Sequence, residues 1–153
     1  MKQLLIAFAV LVSVSACNKG AFKKEEGSFK VNGTKYSVGE DMMSAGYYSG
    51  NKLLQVTLGG GPSSTFAPTL VVDLNKVNTV VPILKGAEGF SYFGANSAVQ
   101  YFPISGEYKV TSNSAGNPAT QHTEGTFSFK AVNQYNPTDT VEITEGYFYV
   151  NNY

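Results

Sequence analysis

The sequence predicts an all-β protein: an antiparallel β-sandwich of short strands, with an up-and-down β-barrel as the alternative. Three observations point there. Ten Tyr, ten Phe and sixteen Gly accompany many Val and Thr, residue types that fit a pleated, half-buried surface. Apolar and polar residues alternate over short runs, the period of a strand with one buried face. Turn signals recur at close spacing, and short connections join antiparallel neighbours, whereas parallel pairs need long crossovers. About ten short strands are expected, and no helix after the N-terminal apolar segment.

"SFKVNGTKYSV" is the clearest element. Asn32-Gly33 sits between Phe29/Val31 and Tyr36/Val38, and Asn-Gly favours a two-residue turn with positive φ at both positions, so Phe29 to Val38 reads as a hairpin. "EDMMSAGYYSGN" is irregular, with a strand near Tyr47 and Tyr48. "KLLQVTL" sets Leu54, Val56 and Leu58 on one face against Gln55 and Thr57. "GGGPSSTFAP" is a loop, "TLVVDL" a strand and "NKVN" a turn. "TVVPIL" carries Pro82, which donates nothing to a ladder and marks an edge strand or a bulge. Between Gly89 and Ser112, Gly, Asn and Pro break the chain into three short runs, with Tyr108 and Val110 facing inward in the last. "GTFSFKAV" buries Phe127, Phe129 and Ala131, "NQYNPTD" turns, and "TVEI" and "GYFYV" form a final hairpin around Thr144-Glu145-Gly146.

Eleven Lys balance eleven acidic residues, and Arg and Trp are absent. Without a basic block or the bidentate arginine fork, nucleic-acid binding has no electrostatic footprint. Missing Trp removes a favoured platform for sugar stacking.

The N-terminus supplies an address. Lys2 precedes an apolar run from Leu4 to Val14, and Ser15 and Ala16 lead to Cys17, the layout of a cleaved secretory signal. The run is about half of the ~20 residues a membrane-spanning helix needs. Val14-Ser15-Ala16-Cys17 resembles the lipobox of bacterial lipoproteins, which implies lipidation of Cys17 and attachment to a membrane through acyl chains. This single cysteine would then be consumed by lipid, leaving none for a disulfide, a metal or a nucleophile. Asn18, where an inner-membrane-retaining Asp would stand, points to the outer membrane, with the periplasmic or surface side open. Lys23 to Glu26 resembles the charged surface-export signals of Bacteroidota-type lipoproteins, although those sit nearer the cysteine. The organisation expected is a signal peptide over 1–16, the lipidated cysteine and a flexible tether over 17–27, and one all-β domain over 28–153.

"VNGTKY" (31–36), "SGEYKVTS" (105–112), "EGTFSFKAV" (124–132) and "VEITEGYF" (141–148), in that order, make the chain similar to a family of small Bacteroidota-type lipoproteins whose domain has no assigned function. Tyr36 departs from that family's frequent Trp. The resemblance implies no catalytic residues.

Candidate chemistry is sparse. His122 and Glu124 would share a strand face and offer a general base or two metal ligands, but catalytic zinc takes three protein ligands, and a polar loop beside His122 suggests a solvated ring. Asp73, Asn75 and Asn78, and separately Glu40 and Asp41, offer oxygens near turns, without calcium-loop spacing; Asp and Asn serve turns in any case. "GGGPSS" lacks the Lys-Ser/Thr ending of a phosphate loop. No metal and no cofactor is expected. Tyr47, Tyr48, Tyr92, Phe93, Tyr101 and Phe102 are adjacent aromatics on strands. One of each pair can stay exposed to meet a glycan or an envelope protein, unless two layers bury both. The expected function is a non-enzymatic, lipid-anchored binding or structural module of the cell envelope. The alternatives are a glycan-binding accessory lipoprotein, with Tyr47, Tyr48, Tyr92 and Tyr101 as candidate rings, and an envelope hydrolase using His122 and Glu124.

Overall fold

The computed structural model describes residues 23–59, 67–93, 99–114 and 121–151. Cys17, the apolar run before it and the "GGPSSTF" segment lie outside these residues. The strands are β1 (Glu26–Val31), β2 (Thr34–Gly39), β3 (Met43–Tyr48), β4 (Leu53–Leu58), β5 (Ala67–Asp73), β6 (Val80–Leu84), β7 (Ser91–Phe93), β8 (Gln100–Asn113), β9 (His122–Asn133) and β10 (Asn136–Asn151). They form one antiparallel sheet in the order β2-β1-β10-β9-β8-β7-β5-β4-β3, with β6 also paired to β8. A short 3-10 turn, Glu40–Met42, links β2 to β3. These two strands are the ends of the sheet, which is not closed. The architecture is therefore an open all-β sheet in keeping with a sandwich, and the barrel alternative fails on the missing β2–β3 ladder.

The β1–β2 hairpin forms as its sequence dictates. Asn32 has φ 47° and Gly33 φ 84°, both positive as the two-residue turn demands. Asn32 also exchanges bonds with β10: its N–H donates to Glu142 O at 2.9 Å, and its Oδ1 accepts from Glu142 N–H at 2.9 Å. In β4, Leu54, Val56 and Leu58 are buried; in β9, Phe127, Phe129 and Ala131 are. β6, with Pro82, pairs only with β8, as an edge strand does.

Four expectations change. The runs between Gln100 and Ser112 fuse into one fourteen-residue strand, β8. Its ladder to β9 shifts register between Pro103 and Ser105, because Pro103 has no N–H to give. It passes so close to β9 at Gly106 that a Cβ there would lie 2.4 Å from Ser128 O. The expected hairpin at Thr144-Glu145-Gly146 is instead a bulge within a continuous β10, with the register shifting between Ile143 and Gly146. Glu145, at φ 49°, adopts the left-handed conformation that made this stretch read as a turn, and the same backbone device serves a bulge. The third change is that Ala67 and Pro68 belong to β5 rather than to the loop before it. Last, order reaches back into the expected tether: β1 begins at Glu26, and the Asn151 N–H donates to Glu25 Oε1 at 3.0 Å.

One apolar core joins residues from both halves of the sheet. Val56, Leu58, Leu70 and Val72 from β4 and β5 share it with Val110, Ala131, Ile143 and Phe148 from β8, β9 and β10. A Cβ on Gly27 of β1 would sit 2.6 Å from Leu58 Cδ2 of β4, which places the two ends of the sheet face to face. Burying each such Leu, Ile or Phe contributes about 1.5–3 kcal/mol.

Candidate functional site

Alternation in β4 and β5 sends one set of side chains to the core and the other outward. Register places Tyr48 beside Leu53 on β4, so Tyr48 shares the outward face with Gln55, and its hydroxyl donates to Gln55 Oε1 at 3.1 Å. Next on that face, the Thr57 and Thr69 hydroxyls lie 3.2 Å apart across β4 and β5. Gln55, Thr69, Ser91, Gln100 and Phe102 then line a shallow depression of about 310 Å³, walled by the loop from Gly86 to Phe90. That loop is fastened by the Gly86 N–H donating to Pro103 O and the Ala87 N–H donating to Leu84 O, each at 3.0 Å. Tyr48 (53 % exposed) and Phe102 (40 %) are the large exposed rings of this face. Between them stand two primary amides and several hydroxyls, with Glu88 as the one charged group lining the depression. Such a surface can stack on an apolar ring face and exchange hydrogen bonds with neutral polar groups.

The four aromatics singled out in the sequence divide. Tyr47 and Tyr48 are both exposed, because β3 ends the sheet and neither of its faces is fully covered. Tyr92 is 1 % exposed, inside the core, and burial pushes its phenol well above the ordinary range. Tyr101 packs against the core, its ring 5.6 Å from that of Tyr92, and its hydroxyl donates to Asp139 Oδ2 at 2.9 Å. Tyr92 is therefore a core residue, and Tyr101 is half-buried against it. The sequence did not single out Gln55, Thr69 or Gln100; each is an ordinary outward strand position, and only sheet order brings them together.

His122 is not the solvated ring expected from its loop-side position. It is half-buried and stacks on Tyr149 with ring centroids 5.2 Å apart. Its Nε2 lies 3.2 Å from Ser112 Oγ and its Nδ1 3.0 Å from Ser114 Oγ. Ser114 Oγ also accepts the His122 backbone N–H at 2.9 Å. Glu124 shares this outward face as expected, and its Oε2 accepts from the Tyr147 hydroxyl at 3.3 Å. Lys23 completes the patch: it donates to the Tyr147 hydroxyl at 3.0 Å, pairs with Glu26 at 2.8 Å and lies 4.3 Å above the Tyr149 ring. Glu26 and then Tyr147 hold the Lys23 ammonium above its usual range.

Asp73 is committed to a turn, its Oδ1 accepting from Asn75 N–H and Nδ2 at 2.9 Å each. Among the described residues no three His, Cys, Asp or Glu side chains group to hold a metal ion. Fold and surface define an open antiparallel β-sheet protein with an aromatic and amide face. No family model, no curated protein and no solved structure matches the chain.

Proposed function

We propose that this chain is a lipid-anchored protein of the cell envelope, attached to the outer membrane through Cys17, whose β-domain is a non-enzymatic binding module. The outward face of Tyr48, Gln55, Thr69, Gln100 and Phe102 is the observation that carries the binding role: exposed rings and neutral hydrogen-bonding groups lie on one face of the sheet. The anchor rests on the Val14 to Cys17 sequence and the apolar run before it.

The test of the anchor is intact mass and membrane fractionation of the natively expressed protein beside Cys17→Ala. Added acyl mass and an outer-membrane wild type with a soluble mutant are expected; an unmodified, soluble wild type refutes it. The same face favours a neutral glycan as the ligand, since hydroxyl-rich rings with one apolar side match rings flanked by amides. Titration with neutral oligosaccharides, followed by amide chemical shifts, is expected to perturb β4, β5 and the start of β8, and Phe102→Ala to abolish the response. Perturbation confined to other strands refutes the assignment.

A further inference from the structure

The two ends of the sheet are built differently. β2 carries Lys35, exposed, at its edge, and charge is a common guard against unwanted strand pairing. β6, the other strand with a single partner, carries Pro82. β3 has no such device: Met43-Ser44-Ala45-Gly46-Tyr47-Tyr48 has no charge, no proline and no bulge in its ladder to β4. From Ser44 onward every residue is exposed, including Tyr47 at 47 % and Tyr48 at 53 %. A long neutral edge with exposed rings is a template for another strand.

We propose that β3 pairs antiparallel with β3 of a second copy of this chain. The strand is self-complementary in size. A two-fold axis through Gly46, perpendicular to the sheet, keeps each face continuous and sets Tyr47 opposite Ala45 of the copy and Tyr48 opposite Ser44. Each large ring then lies over a small residue, twice by symmetry, as an isologous contact requires. The absence of charge means that no like-charged pair is juxtaposed. Space is present at the axis: a Cβ on Gly46 would meet no atom within 4 Å. Six residues of strand bury less than the roughly 1,200 Å² of a stable interface, so the pairing is concentration-dependent in solution and, on the proposed reading that Cys17 is lipid-anchored, gains further from attachment of both copies to one membrane. Tyr48 also belongs to the binding face, and pairing brings two such faces edge to edge.

The experiment uses the full chain carrying Cys17→Ser, so that an introduced thiol is the sole one. Gly46→Cys places two sulfurs directly opposite at the axis, within the Cα separation a disulfide spans. Mild oxidation is expected to give a covalent dimer in high yield, while Lys35→Cys on β2 remains mostly monomeric. In sedimentation velocity over a concentration series, the Cys17→Ser chain is expected to self-associate and Gly46→Lys in the same background to stay a monomer, with unchanged circular dichroism. Equal cross-linking from Gly46→Cys and Lys35→Cys, a Cys17→Ser chain that is monomeric throughout, or association that survives Gly46→Lys each overturns the proposal.

Discussion

Gly106→Ala is expected to be among the most damaging single-methyl additions in this domain. The new Cβ would lie 2.4 Å from Ser128 O, 2.5 Å from Phe129 Cβ and 2.6 Å from Phe129 Cα. None of these is the far end of a flexible side chain, so relief requires moving β8 away from β9 over a ladder that runs from Tyr101 to Asn113. Overpacking of this kind costs about 1–3 kcal/mol, and contact with backbone puts it at the upper end, about 3 kcal/mol. Against a typical domain stability of about 5–15 kcal/mol, that lowers the melting temperature by about 10 °C. Gly46→Ala is the control: it also adds one methyl to a strand glycine, but into space with nothing within 4 Å and without the φ of 157° that Gly106 adopts. There the smaller unfolded-state entropy of Ala is expected to leave stability equal or raised by about 0.4–1 kcal/mol. Urea melts of the two variants decide the matter. Equal losses, or a Gly106→Ala within about 0.5 kcal/mol of wild type, would refute the close-approach reasoning.

Alkaline stability is expected to depend on the raised phenols of the core and its margin. Burial raises Tyr92 and Tyr108 above the ordinary phenol value of 10.0, and burial and then Asp139 raise Tyr101. Because the folded state holds these protons longer than the unfolded state, their contribution is complete below about pH 10 and declines as pH rises through the folded values. Tyrosinate absorbance is expected to show a late fraction that ionises together with loss of near-ultraviolet circular dichroism; a single step near pH 10 with the fold intact would contradict this. His122→Ala removes the stack on Tyr149 and two serine contacts, and is expected to cost about 1–2 kcal/mol in a denaturant melt. Glu145→Gly relieves a left-handed backbone at φ 49° while losing the Lys30 ion pair. Exposed pairs are worth about 0–1 kcal/mol and the left-handed strain about 1–2 kcal/mol, so the variant is expected to melt at or slightly above wild type; a loss above about 1 kcal/mol would show the ion pair dominating.

What the sequence determined by itself was local. Strand alternation in "KLLQVTL" and "GTFSFKAV" follows from a period of two, and the Asn32-Gly33 turn from the φ values only such residues adopt readily. The all-β class and the inward positions of Leu54, Val56, Phe127 and Phe129 were legible for that reason. The tertiary structure decided everything that depends on which strand lies beside which. "ITEGYF" reads locally as a turn, yet pairing with both β1 and β9 carries β10 straight through and turns the same positive-φ residue into a bulge. Tyr92 and Tyr48 look alike in sequence, each one of two adjacent aromatics on a strand. An interior place in the sheet buries Tyr92, and an end place exposes Tyr48. Gln55, Thr69 and Gln100 meet on one face only because β4, β5, β7 and β8 are consecutive in the sheet. Strand order is fixed by non-local hydrogen bonds and a shared core, interactions that no window of neighbouring residues contains.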